Sequence, residues 1–210
     1  MQKMDRIFNY LDELYPNPVC ALNYETPYQL LVAVVLSAQC TDKRVNEVSK
    51  GLFAVAPTPE KMLSLGEQKL KQIIYPCGFY NNKAKAIISL SEDLISRFNG
   101  VVPDNMEQLT SLKGVGRKTA NVVLGTAFNK QTIAVDTHVH RISKRLGLTS
   151  KNSTPAQCET DLIKKTPLDR RTKLHHQLIW FGREHCKAIN PSCENCKLKE
   201  ICKKDNYEHR

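Results

Sequence analysis

The stretch Tyr28 to Ala38 limits the folds open to this chain more than any other. It has almost no polar face, and it follows Thr26-Pro27, an N-cap and first-turn proline pair that starts a helix. A helix that is apolar on nearly every side must be wrapped by other elements, so this one is expected at the centre of a core. Its unbroken apolar part, Leu30 to Leu36, is seven residues long. A bilayer span needs about 20, so no membrane crossing is expected.

Further helix signals surround it. Thr58-Pro59 and Thr154-Pro155 repeat the same start. Lys83 to Phe98 carries an apolar stripe at Ala84, Ile87, Ile88, Leu94, Ile95 and Phe98, and Gly100 follows as a stop. Asp104 with Glu107 reads as a capping box, and Arg170 to His185 as a long helix. The most β-like piece, Gln131 to Val135, is too short to argue for a sheet. An all-α fold with short connections is expected. At 210 residues and 41% hydrophobic content, the chain has enough material for a proper core and is not of a disordered type. Its start leads into no apolar signal core, so an intracellular location is expected.

The most informative segment is Leu112-Lys113-Gly114-Val115-Gly116-Arg117-Lys118-Thr119-Ala120, lying between helical patterns at 105–112 and 117–128. Two glycines one residue apart permit a tight turn and close approach of another backbone. The helix that follows begins at once, and amides at a helix start bind phosphate. A plain helix–helix turn has the same glycines; charge separates the two readings. The whole chain carries a net +10. From Lys113 to Arg145 there are seven basic residues (Lys113, Arg117, Lys118, Lys130, Arg141, Lys144, Arg145) and one acid, Asp136. A basic patch centred on such a turn is the footprint of a nucleic-acid binder.

Lys118 is either a phosphate contact or a nucleophile. Attack needs a neutral amine, whereas free lysine titrates at about 10.4. Burial, the helix start and Arg117 all act to lower that value. Asp136, in Val135-Asp136-Thr137-His138, reads as the N-cap of the next helix, which is compatible with a second role facing Lys118. The helix after Lys118 carries the chain about 18 Å away. The segment to Val135 can return about 23 Å if extended. The two side chains are therefore expected across one cleft. His138 and His140 are adequately explained as polar helix residues.

Four of the eight cysteines, Cys186, Cys193, Cys196 and Cys202, fall within 17 residues. Clustered thiols in a reducing compartment read as metal ligands. They suit either zinc or an iron–sulfur cluster, and one Cys-x2-Cys with wider flanking gaps favours the larger group. Cys20, Cys40, Cys77 and Cys158 are scattered and expected to be small buried hydrophobes.

Together these motifs resemble the endonuclease III family over about residues 5 to 204, with Leu36-Ser37-Ala38-Gln39-Cys40-Thr41-Asp42 and Gly78-Phe79-Tyr80-Asn81 adding support. The resemblance implies a two-lobed helix-hairpin-helix DNA glycosylase fold. A six-helix lobe would span residues 20–130, with the hairpin at about 105–128. A second lobe would combine 1–19 with 131–210 and carry a 4Fe-4S cluster in the loop 186–202, held by Cys186, Cys193, Cys196 and Cys202. The implied activity is bifunctional: excision of oxidised pyrimidines from damaged double-stranded DNA, then strand cleavage 3′ to the abasic site by β-elimination. Lys118 would be the amine nucleophile and Asp136 the catalytic carboxylate. Gln39 and Phe79 match positions that insert into the duplex, and Gly114, Val115, Gly116, Arg117, Thr119 and His138 would contact DNA. A monomer is expected.

Some positions depart from the family pattern. Lys113 replaces a usual hairpin proline, Phe79 a usual aliphatic wedge, and Cys40 a usual small residue. The loop from Lys187 to Ser192 has one basic residue. The competing functions are the related adenine-mismatch glycosylase, which usually lacks a lysine at this place, and a non-catalytic DNA-binding module with a structural metal.

Overall fold

The computed structural model of the chain describes residues 2–203. Those residues form helices α1 (Lys3–Leu14), α2 (Pro27–Leu36), α3 (Asp42–Val55), α4 (Pro59–Leu65), α5 (Glu67–Ile74), α6 (Tyr80–Phe98), α7 (Met106–Thr110), α8 (Arg117–Ala127), α9 (Thr137–Arg145), α10 (Pro155–Lys165) and α11 (Arg171–Glu184). No strand occurs among the described residues, and no helix there is long and apolar enough to cross a membrane. Gln131 to Val135 is an irregular passage that buries Ile133, Ala134 and Val135.

The chain divides into two units: Cys20–Asn129, and the residues up to Val19 together with those from Lys130 onward. In the central unit α2 is buried at every residue from Tyr28 to Leu36. Helices α3, α6 and α8 pack against it, while α4 and α5 rest on α6. The one buried hydroxyl on α2, that of Tyr28, is satisfied by Ser91 Oγ at 2.7 Å. Burial of α2 dominates this unit, since each fully buried Leu or Val side chain contributes about 1.5–3 kcal/mol.

The expected starts are in place: Thr26, Thr58 and Thr154 accept from the backbone N–H of Gln29, Lys61 and Gln157. One start differs. Asp104 and Glu107 do not form a capping box; Asn105 caps α7, its Oδ1 accepting from Gln108 N at 2.9 Å. Asn serves as well as Asp at this position, so local preference leaves the register open by one residue. Helix α6 begins at Tyr80, three residues before the expected start at Lys83, and stops where Asn99 and Gly100 take positive φ and Gly100 N bonds Leu94 O.

The other unit joins both ends of the described chain. Helices α1, α9, α10 and α11 enclose Ile7, Leu11, Val139, Ile142, Leu162, Leu174, Leu178 and Phe181. Gly182 lets α9 approach α11: an added Cβ would meet His138 Nδ1 at 2.8 Å and Ile142 Cδ1 at 2.9 Å. Asp12 of α1 takes Arg170, Lys173 and Gln177 at 2.7–2.9 Å, fastening α1 to α11 and the turn before it.

Candidate functional site

The hairpin lies in the central unit. Leu112 and Val115 are buried and anchor the turn, with Val115 N bonded to Leu112 O. Gly114 has φ +78°, and a Cβ there would lie 2.7 Å from the Ala86 Cβ on α6. Both conformation and packing therefore demand glycine. Gly116 differs. Its φ of −89° suits any residue, and nothing lies within 4 Å of where its Cβ would be. The first glycine builds the turn; the second leaves the surface behind it open. Helix α8 then starts with no side-chain cap and no acid in its first turn. Its leading amides have no intrahelical partner and carry the positive end of the helix dipole. Arg117 and Lys118 are exposed there and Thr119 is half-buried. The burial expected around Lys118 is thus absent from the protein's own packing.

Two other exposed residues have unusual backbones. Among the described non-glycine residues, positive φ occurs at Gln39 (+52°), Phe79 (+48°), Asn99, Asn129 and Asn190. Asparagine tolerates this region; for Gln and Phe it costs about 1–2 kcal/mol each. Such strain persists only where the surroundings enforce it, commonly at functional positions. Gln39 sits in the turn after α2, and Phe79, 63% exposed, in the turn before α6. These are the two positions expected to enter the duplex.

In the other unit Asp136 caps α9, its Oδ1 accepting from Val139 N at 2.8 Å. The cap fixes the carboxylate and leaves Oδ2 outside that bond. His138 is half-buried against Gly182, with Nδ1 3.3 Å from an Arg141 guanidinium nitrogen. Burial pushes its imidazole below the ordinary value; Asp136 opposes this, and Arg141 and Arg183 add to it.

The structure also redistributes the basic stretch. Lys113, Arg117, Lys118 and Lys130 are exposed, whereas Arg145 is 3% exposed and Arg141 half-buried. Those two arginines face the cysteine loop. Arg141 donates to Gly182 O (3.0 Å) and Cys186 O (2.9 Å). Arg145 donates to Lys187 O (2.7 Å), Ala188 O (3.2 Å) and Cys186 Sγ (3.3 Å). Its own carbonyl accepts from Lys203 N and Cys202 Sγ. The basic patch is therefore smaller than the sequence count, and the organising role of Arg141 and Arg145 is what sequence reading missed. Their spacing of four, which puts both on one face of α9, was the available signal.

Cys186, Cys193, Cys196 and Cys202 form no disulfide and are half-buried, and all four line one cavity of about 140 Å³ with Leu146, Phe181 and Leu198. Burial pushes the Cys196 thiol up, and the other three cysteines add to that rise. Four thiols share one apolar chamber, and Arg145 donates to Cys186 Sγ, so the chamber suits thiolate ligands gathered on one bound group. No three ligating side chains among the described residues converge as a single metal ion would require.

Residues 32–167 match the HhH-GPD superfamily of base excision DNA repair proteins. The endonuclease III of Rickettsia conorii is 47% identical over 96% of this chain and 95% of its own. That of Escherichia coli is 43% identical over 93% and 92%. A non-covalent endonuclease III–DNA complex superposes with a TM-score of 0.93 at 42% identity, covering 98% of this chain and 97% of that one. A trapped endonuclease III–DNA covalent intermediate gives 0.94 at 42% identity over the full length of both. A thermostable thymine-DNA glycosylase, 22% identical with a TM-score of 0.84, shares the fold. By sequence over nearly its whole length, and by fold, the chain belongs to the endonuclease III family of HhH-GPD base excision repair proteins.

Proposed function

We propose that this chain is a bifunctional DNA glycosylase and abasic-site lyase that excises oxidised pyrimidines from duplex DNA and cuts the strand 3′ to the lesion. The observation that carries the reading is Lys118, an exposed amine at the uncapped, acid-free start of α8, directly behind the open turn at Gly116. An amine so placed meets the sugar–phosphate backbone, and a covalent DNA intermediate has been trapped in a related endonuclease III.

The backbone of Gly114, Val115 and Gly116 and the side chains of Arg117 and Thr119 hold phosphates beside the lesion. Gln39 and Phe79 enter the stack and offset the few kcal/mol that base extrusion costs. DNA docked over Lys118 supplies the desolvation that the free protein does not. The neutral Nζ attacks C1′ of the deoxyribose, and the C1′–N bond breaks with its electron pair leaving on the base. Asp136 stabilises the positive charge on the sugar and moves protons, and His138 adds a contact to the same strand. Ring opening gives a Schiff base at Nζ, which acidifies C2′. Loss of that proton expels the 3′ phosphate, and water then releases Lys118.

Cys186, Cys193, Cys196 and Cys202 would hold a 4Fe-4S cluster, which supplies structural cross-linking of the loop after α11. The protein acts as a monomer inside the cell, where its substrate lies.

Borohydride trapping on a duplex with thymine glycol or an abasic site tests the reading. Wild type is expected to form a covalent adduct with DNA, and Lys118→Gln to abolish it. Strand cleavage without a trappable adduct would reject the Schiff base. Binding of damaged DNA without any cutting would reduce the protein to a binding module.

A further inference from the structure

Lys83 is 5% exposed in the central unit and takes no part in the chemistry above. A lysine is almost never buried to this extent without dedicated partners. Its Nζ donates to two backbone carbonyls, Leu36 O and Cys77 O, each at 2.9 Å. These acceptors lie 47 and 6 residues away in sequence, so the bonds tie the end of α2 and the turn before α6 to one side chain.

Their places in the chain are what matter. Leu36 is the last residue of α2, and its carbonyl has no intrahelical partner. That helix carries no basic residue in its last turn, so the ammonium from α6 supplies the cation that a helix C-terminus favours. Cys77 closes the 3-10 turn Tyr75–Cys77. Gln39 follows Leu36 by three residues and Phe79 follows Cys77 by two, and both carry positive φ. One buried ammonium therefore ties together the starts of the two strained turns. Phe79 O accepts from Lys83 N at 3.1 Å, so the backbone of the same residue also meets the second turn.

We propose that Lys83 is the positioning residue of the duplex-invading pair, holding the turns of Gln39 and Phe79 in the fixed, strained geometry that base extrusion requires. It acts through those residues and touches no substrate. The proposal rests on the reading of Gln39 and Phe79 as the residues that enter the stack. Burial lowers the Lys83 amine from its ordinary value and the Cys40 and Cys77 sulfurs oppose this, while the two carbonyl acceptors favour the protonated form. A neutral amine would donate more weakly to both carbonyls and would lose the interaction with the helix end.

The test separates extrusion from chemistry. Two rates are measured: excision of thymine glycol from a duplex, and lyase cleavage of an abasic site in a single strand, where nothing has to be unstacked. Lys83→Met keeps the volume and removes the donors. It is expected to lower duplex excision about tenfold or more while single-strand cleavage per folded molecule stays within about twofold. Lys83→Arg keeps the charge and donors on a longer fork that displaces the turns. It is expected to show the same selective loss to a smaller degree, and it decides the matter if the Met variant does not fold. Gln39→Ala and Phe79→Ala are run beside them. If those two leave the ratio of rates unchanged, the stack-entry reading fails. If they change it and the Lys83 variants do not, the positioning role fails. A parallel fall of both rates in the Lys83 variants would reduce Lys83 to a structural residue.

Discussion

At the scale of single residues, the arginines show where a count of charges misleads. Arg145 belongs numerically to the basic stretch, yet it is buried and its donors reach the carbonyls of Lys187 and Ala188 and the Cys186 sulfur. Net charge along a sequence says nothing about which face of a helix each residue takes. The two residues proposed to carry the chemistry, Lys118 and Asp136, stood out in the sequence for a different reason: each stands at a helix start, and helix starts leave marks in sequence. Arg145→Met keeps the bulk and removes two charge-assisted hydrogen bonds to the loop carbonyls of Lys187 and Ala188, which contribute about 1.5–3 kcal/mol each. The variant is expected to melt roughly 5–10 °C lower. It should also carry less of the chromophore near about 400 nm that a thiolate-held iron–sulfur group gives. Lys144→Met, one residue away and half-buried, serves as the control and should leave both readings near wild type. Equal cluster content in Arg145→Met and wild type, by iron analysis and absorbance, would remove the organising role from Arg145.

At the scale of elements, the hairpin separates two uses of glycine that the sequence presents alike. Gly114→Ala must bring a Cβ to 2.7 Å from Ala86 in a backbone conformation that alanine resists. A cost of about 2–4 kcal/mol is expected, from the left-handed conformation and the overpacking together. Gly116→Ala meets no protein atom, and as an N-cap change it should cost about 1 kcal/mol or less. Affinity should move the other way: Gly116→Ala puts a methyl where a phosphate is to approach, and weakens DNA binding more than it weakens the fold. Urea denaturation and fluorescence anisotropy on a duplex with an abasic analogue measure the two quantities. A Gly116→Ala protein with wild-type affinity would place the phosphate elsewhere. The helices around this hairpin were readable wherever Thr-Pro or an apolar stripe announced them. The start of α6 was hidden because its first turn, from Tyr80, is polar and is entered from Phe79 in a left-handed conformation, which no cap signals. Thr41, which caps α3 by accepting from Arg44 N, was absorbed into a longer motif and left that helix unread.

At the scale of the whole molecule, sequence reading reaches the class of fold and loses the contacts that close it. The unit formed from both ends of the described chain depends on pairs more than 150 residues apart, such as Asp12 with Arg170 and Tyr15 with Glu184, and no local pattern encodes them. Asp12 and the buried His176 of α11 set an acid response in two steps. His176 is 8% exposed, and burial lowers its imidazole from 6.5 to about 4. Its folded value lies below its unfolded one, so the unfolded chain binds the extra proton first. The neutral imidazole is fully compatible with folding above pH 6.5, and stability falls as pH drops from there to about 4. The full cost is at most roughly 3 kcal/mol. Asp12 acts lower on the scale. Burial alone would raise its carboxyl, but hydrogen bonds from Lys173, Arg170 and Gln177 outweigh it and hold the group at about 2. Its contribution is complete above the unfolded value of 3.8 and is lost as pH falls toward 2. Solvent screens this partly exposed group, so its step should be the smaller one. Melting temperatures from pH 8 to 2 should therefore decline in two windows. His176→Gln should flatten the first while leaving the second, and Asp12→Asn should flatten the second while leaving the first. If both variants followed the wild-type curve at a constant offset, the acid response would belong to other groups and neither residue would be the sensor assigned to it.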